Sequence, residues 1–63
     1  MTIKEIRELT GMSQSRFAKE YGIPVRTLQG WEAGKTVPPY FLSVLERVVK
    51  IDLPQIKKLD KQD

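Results

Sequence analysis

Three glycines constrain this chain more than any other feature. Gly11, Gly22 and Gly34 each close a short run of apolar residues at helical spacing, which predicts a first half made of brief helices separated by tight bends. Helices that short are marginal in water and persist only when their apolar faces bury one another. Thr2 caps the first, with Ile3, Ile6 and Leu9 as its inward stripe. Ser13 caps the second, with Phe17, Ala18 and Tyr21 on one face. Pro24 has a fixed φ that suits a first turn and starts the third, with Leu28 and Trp31 facing inward.

Beyond Gly34, residues 35–39 contain two successive prolines and read as a loop. Phe41, Leu45, Val48 and Val49 then mark a fourth helix. Asp52 is placed to cap a short last helix carrying Leu53, Ile56 and Leu59. No alternating strand pattern runs longer than a few residues. The expected fold is therefore all-α, a compact bundle of four to five helices. Residues 1–52 form its body. Residues 53–63 form a short C-terminal helix and tail, serving either as a lid over the core or as a contact for a second subunit or partner.

A chain of 63 residues closes a single core. It has no cysteine and no histidine, so disulfides, thiolate and imidazole metal sites, nucleophilic thiols and histidine acid–base chemistry are all excluded. A small secreted fold would normally need disulfides, which favours a cytoplasmic location. No apolar run approaches the roughly 20 residues of a membrane span, and Met1–Glu8 lacks the apolar stretch of a signal peptide. Glu5 and Glu8, one helical turn apart, read as an ordinary solvated face. With no nucleophile–base pair and no phosphate-cradling glycine loop, neither an enzyme, a metal nor a cofactor is expected. The net charge is +3 with a pI near 9.5. The excess is concentrated in residues 13–38, where Arg16, Lys19, Arg26 and Lys35 face only Glu20 and Glu32. That distribution leans toward a polyanion.

The stretch from Gln14 to Trp31 carries the most information. Two short helices meet at Gly22, with small Ala18 four residues before the bend and Phe17, Ile23, Leu28 and Trp31 around it. A pair this compact must cross steeply, which needs a small residue at the close approach and a permissive one at the turn. This is the geometry of a helix-turn-helix, whose second helix can enter the major groove. The aromatics Phe17, Trp31 and Phe41 lie at helical spacing and are expected in the core rather than on a base-stacking surface.

At these residues the chain resembles the Cro/C1-type (XRE-family) helix-turn-helix DNA-binding proteins with a lambda-repressor-like fold. The resemblance covers roughly residues 3–50 and rests on Met12-Ser-Gln-Ser-Arg-Phe-Ala18, Tyr21-Gly-Ile-Pro-Val-Arg-Thr-Leu28 and Trp31-Glu-Ala-Gly-Lys-Thr-Val-Pro38. Ala33 departs from the family string, which has Asn there. The resemblance implies that Gln14 opens the second helix, bonds a DNA phosphate and braces the recognition helix. It also implies that Arg7 pairs with Glu32, tying the first helix to the end of the third.

Val25, Arg26, Gln29 and Gly30 occupy the outward face of the recognition helix and are the expected base contacts. Arg26 suits guanine, Gln29 suits adenine or a phosphate, and Val25 suits a thymine methyl. Gly30 costs about 1 kcal/mol in a helix interior relative to alanine. Its expected benefit is a closer approach to the bases, the alternative being that the position reads nothing. Ser13, Ser15, Thr27, Lys35 and Thr36 are expected phosphate contacts, the two serines aided by the helix dipole.

The leading expectation is a sequence-specific regulator of transcription bound to double-stranded DNA. It is expected to be a repressor acting as a homodimer on an inverted repeat, with the fourth helix and Leu53, Ile56 and Leu59 as the candidate dimer or partner surface. The alternative is an antitoxin-like module that binds a toxin and represses its own operon. A helical domain without DNA binding is a third possibility, and an enzyme is the weakest.

Overall fold

The computed structural model describes residues 1–60, with side chains through Ile56. It contains four helices: α1 (Ile3–Thr10), α2 (Gln14–Tyr21), α3 (Val25–Glu32) and α4 (Pro39–Asp60). No strand occurs among the described residues.

Local chemistry sets the ends of the short helices. Thr2 and Glu5 form a reciprocal capping box: the Thr2 hydroxyl accepts from the Glu5 N–H at 3.1 Å, and the Glu5 carboxylate accepts from the Thr2 N–H at 2.8 Å. Ser13 caps α2 by accepting from the Arg16 N–H at 3.1 Å. Gly11 and Gly22 stop α1 and α2 in the left-handed region, at φ of 72° and 69°, where a residue with a side chain is strained. Pro24 stands one residue before the first turn of α3, and its side chain offers no cap.

The core is assembled from all four helices and the two turns that join α1, α2 and α3. Ile3, Ile6, Met12, Phe17, Ala18, Ile23, Leu28, Leu45 and Val49 are buried, and Tyr21, Trp31, Val37, Phe41, Leu42, Leu53 and Ile56 pack around them. Trp31 and Phe41 meet at 5.4 Å between ring centroids, Phe17 and Tyr21 at 4.9 Å. Of the aromatics expected in the core, Phe17 is fully buried, and Trp31 and Phe41 pack half-buried against it.

Leu9, expected to face inward, and Val48, one of the apolar markers of the fourth helix, face solvent instead. Leu9 is 40% exposed and Val48 39%. For Leu9 the spacing explains the difference. Steps of three residues drift by about 60° each around a helix, whereas alternating three and four holds one face. After Ile3 and Ile6 the inward place falls to Thr10, and after Leu45 it falls to Val49. Thr10 tolerates burial because its hydroxyl donates to the Arg7 carbonyl at 2.6 Å and accepts from the Met12 N–H at 3.1 Å.

The expected separate last helix does not form. α4 runs unbroken for 22 residues through Pro54, at about 1.5 Å per residue, and sets the 35 Å long axis of the molecule. Asp52 is not a cap, since its carboxylate accepts from the Tyr21 hydroxyl at 3.0 Å. Proline inside a helix costs roughly 3 kcal/mol. Here Leu45, Val49, Leu53 and Ile56 keep one inward face without a change of phase, so burial on both sides of Pro54 holds the segments in line. Leu53 and Ile56 are partly buried against the core. The side chain of Leu59 lies outside the described residues.

Candidate nucleic-acid interface

α2 and α3 are joined by Gly22, Ile23 and Pro24. Ile23 is buried, and its N–H donates to the Ala18 carbonyl at 2.8 Å. This bond continues the turn set by Gly22 and fixes the angle at which α3 leaves α2. Leu28 is fully buried and Trp31 half-buried, so the core side of α3 is defined. The opposite side is presented to solvent.

That outward side carries Val25, Arg26, Thr27 and Gln29, all exposed, with Gly30 half-buried among them. Arg26 and Gly30 stand four residues apart, one above the other along the middle of the face. Ser13 and Ser15 are exposed at the start of α2, and Lys35 and Thr36 are exposed in the loop after α3. The Ser13 oxygen is engaged by the cap, which leaves its own hydroxyl proton free to be donated.

Behind this face lies a hydrogen-bonded seam. Arg7 meets Glu32 side-on, Nε donating to Oε2 at 2.7 Å and Nη2 to Oε1 at 3.0 Å. Its Nη1 donates to the Met12 carbonyl at 2.9 Å. The Gln14 amide donates to Glu32 Oε1 at 3.1 Å. One carboxylate thus joins the middle of α1, the start of α2 and the end of α3. The Glu32 side chain is only 5% exposed and Arg7 17%, so the bidentate geometry sits in a partly desolvated setting where it counts. The hydrogen bonds from Arg7 hold the Glu32 carboxyl below the usual range, and Glu32 in turn raises the Arg7 guanidinium.

The seam changes the electrostatics of the face. Glu32 is consumed by Arg7 and no longer offsets the cations of the α2–α3 region. Among the described residues Arg16, Lys19, Arg26 and Lys35 make no ion pair, and all four are exposed. The outward surface is therefore more cationic than residue counting indicates.

Three features were not anticipated from the sequence. One is the Met12 carbonyl as an Arg7 acceptor. Another is the Tyr21–Asp52 hydrogen bond, which ties the end of α2 to α4; burial and then Asp52 push the Tyr21 phenol up to about 12. The last is a second apolar stripe on α4, facing away from the core. Tyr40, Val44, Val48 and Ile51 are 77%, 48%, 39% and 76% exposed. Their spacing of four, four and three residues was a readable signal for it.

Among the described residues no group of His, Cys, Asp and Glu could hold a metal ion, and no helix is long and apolar enough to cross a membrane. No curated protein and no solved structure matches the chain. A family model described as helix-turn-helix matches residues 3–56, from the first residue of α1 to Ile56, which packs against the core from α4. The chain therefore belongs to the Cro/C1-type helix-turn-helix family, whose members are DNA-binding regulators of transcription.

Proposed function

We propose that this protein is a sequence-specific repressor that binds an inverted repeat in double-stranded DNA as a homodimer and occludes polymerase. The observation that carries this reading is the sorting of charge on α3. Glu32 is neutralised on the inner side, while Arg26, at the centre of the outer side, makes no ion pair among the described residues. An unpaired arginine on an exposed helix has the fork geometry for guanine O6 and N7. Val25 and Gln29 flank it as further base contacts. Ser13, Ser15, Thr27 and Thr36 supply phosphate contacts around them, and Gln14 reaches a phosphate with whatever hydrogen-bonding capacity Glu32 leaves it.

One recognition helix of eight residues reads only a few base pairs, so useful specificity calls for two subunits. The dimer surface is assigned to Tyr40, Val44, Val48 and Ile51 rather than to Leu53 and Ile56, which the core already occupies. A helix apolar on both sides has a second burial to make. Four side chains on one helix fall well short of the ~800 Å² per partner of a standard interface. The dimer is accordingly weak in free solution and completed on the operator. A toxin partner would use the same surface, which keeps the antitoxin reading in play as the second one.

The test is selection of bound duplexes from a fragmented genomic library at low and near-physiological salt. An inverted repeat that survives the higher salt supports the reading, whereas binding lost uniformly with salt leaves only electrostatic association. Val44→Glu should abolish cooperative occupancy of the two half-sites while leaving one half-site bound. Unchanged cooperativity in that variant sinks the α4 dimer. Loss of a co-purifying protein in the same variant selects the antitoxin reading.

A further inference from the structure

The outward face of α3 has a gap at its centre. Gly30 sits one helical turn beyond Arg26 on the same line, and its backbone does not require glycine: among the described residues positive φ is confined to Gly11, Gly22 and Gly34. Glycine also weakens a helix interior relative to alanine. A local reason for it therefore has to be spatial, and the neighbour is Lys35. A methyl group on Gly30 would stand 3.2 Å from Lys35 Cδ, 3.8 Å from Cε and 4.0 Å from Cγ. The chain turns back at Gly34, with φ of 120°, and the Lys35 N–H then donates to the Gly30 carbonyl at 3.0 Å. Backbone and side chain of Lys35 are thus both registered on Gly30.

We propose that Lys35 is a base-reading residue of the recognition face and that Gly30 is the seat on which its stem lies. The loop lends the helix a side chain at the position where the helix itself has none. Lys35 then acts from the middle of the face, one turn past Arg26, instead of touching phosphate from the loop. Gly30 specifies by being empty and makes no contact of its own. The inference rests on the DNA-binding reading above and refines which groups read the site. Lysine donates to guanine O6 and N7, so the base pair read by Lys35 carries a guanine.

The test uses duplexes randomised across one half-site, selected in parallel by the wild type, Lys35→Gln, Gly30→Ala and the double variant. Both single variants should lose preference at one and the same base pair and keep it elsewhere. On the wild-type site each should bind roughly fivefold or more weakly, the scale of one lost base contact. Adding Gly30→Ala to Lys35→Gln should cost less than about twofold more. The thermal midpoint of Gly30→Ala should not fall, which separates displacement of Lys35 from unfolding. Uniform weakening across all sequences would make Lys35 a backbone contact and overturn the proposal. Full multiplication of the two effects would overturn it too, by showing that the bases meet Gly30 directly. A wild type that enriches no sequence removes the DNA-binding reading and this proposal together, an outcome distinct from both.

Discussion

The two sides of α3 treat charge in opposite ways. On the inner side Glu32 accepts three hydrogen bonds, from two Arg7 nitrogens and from Gln14. On the outer side Arg26 and Lys35 make no ion pair among the described residues. Satisfied charge in a partly buried seam locks the relative placement of α1, α2 and α3, because the carboxylate has no equally good alternative once it is out of water. Unsatisfied charge on the surface costs little, since water solvates it. It is available to a phosphate or a base edge. The contrast implies a division of labour: substitutions inside move stability, and substitutions outside move DNA binding.

The largest expected effect tests the inner side. Arg7→Ala should destabilise the fold by about 3 kcal/mol, because it strands the Glu32 carboxylate, and urea denaturation reads this directly. Replacing both partners with apolar residues of similar volume should recover much of the loss. A deficit below about 1 kcal/mol in the single variant would place the seam with ordinary surface pairs. The pH dependence has a defined sign. Because the folded Glu32 carboxyl lies below its usual range, its contribution is present above the unfolded carboxylate pKa and is lost as pH falls through the folded value. Arg7→Ala should flatten that acid limb.

Next comes the outer side. Arg26→Ala should weaken operator binding by about 1–3 kcal/mol and relax one base position, with stability unchanged within about 0.5 kcal/mol. Equal losses in stability and binding would erase the distinction between the two sides. Ser13→Ala follows, at about 1 kcal/mol of stability from the lost cap of α2. It also removes a proposed phosphate donor, so operator binding should weaken under conditions where the variant is still folded.

The smallest effect belongs to Tyr21→Phe. The Tyr21 phenol is pushed up to about 12, from about 10 for an unperturbed tyrosine. The stability it contributes is complete below pH 10 and declines as pH rises toward 12. Tyr21→Phe should remove that alkaline decline while changing neutral-pH stability little. An alkaline limb identical in the variant would show that the hydroxyl is not coupled to folding.

Much of the fold was legible because its rules are local. Gly11 and Gly22 announce helix ends, and Thr2 and Ser13 announce starts, through the conformations and hydrogen bonds that single residues allow. The errors fell where local rules compete with packing. Leu9 looked inward because hydrophobicity alone does not fix rotation about a helix axis, and the core selected Thr10. Asp52 looked like the cap of a new helix, and Pro54 by itself disfavours continuation of the old one. Burial of Val49, Leu53 and Ile56 along one line outweighed them. For the candidate site, the family motif marked which stretch faces outward. It could not show that Lys35 folds back over Gly30, since that contact depends on the path of the chain after Gly34.

The sequence by itself determined that this chain is all-α, where its short helices start and stop, and which stretch forms the helix-turn-helix. Those properties follow from residue-level propensities and spacings that act over a few positions. The tertiary structure decided that α4 is one helix, that its second apolar stripe is left open, and that Glu32 withdraws from the charge balance of the outer face. Each depends on residues distant in sequence becoming neighbours, as Arg7 and Glu32 do across 25 positions. Burial and pairing energies exist only after the chain has closed on itself.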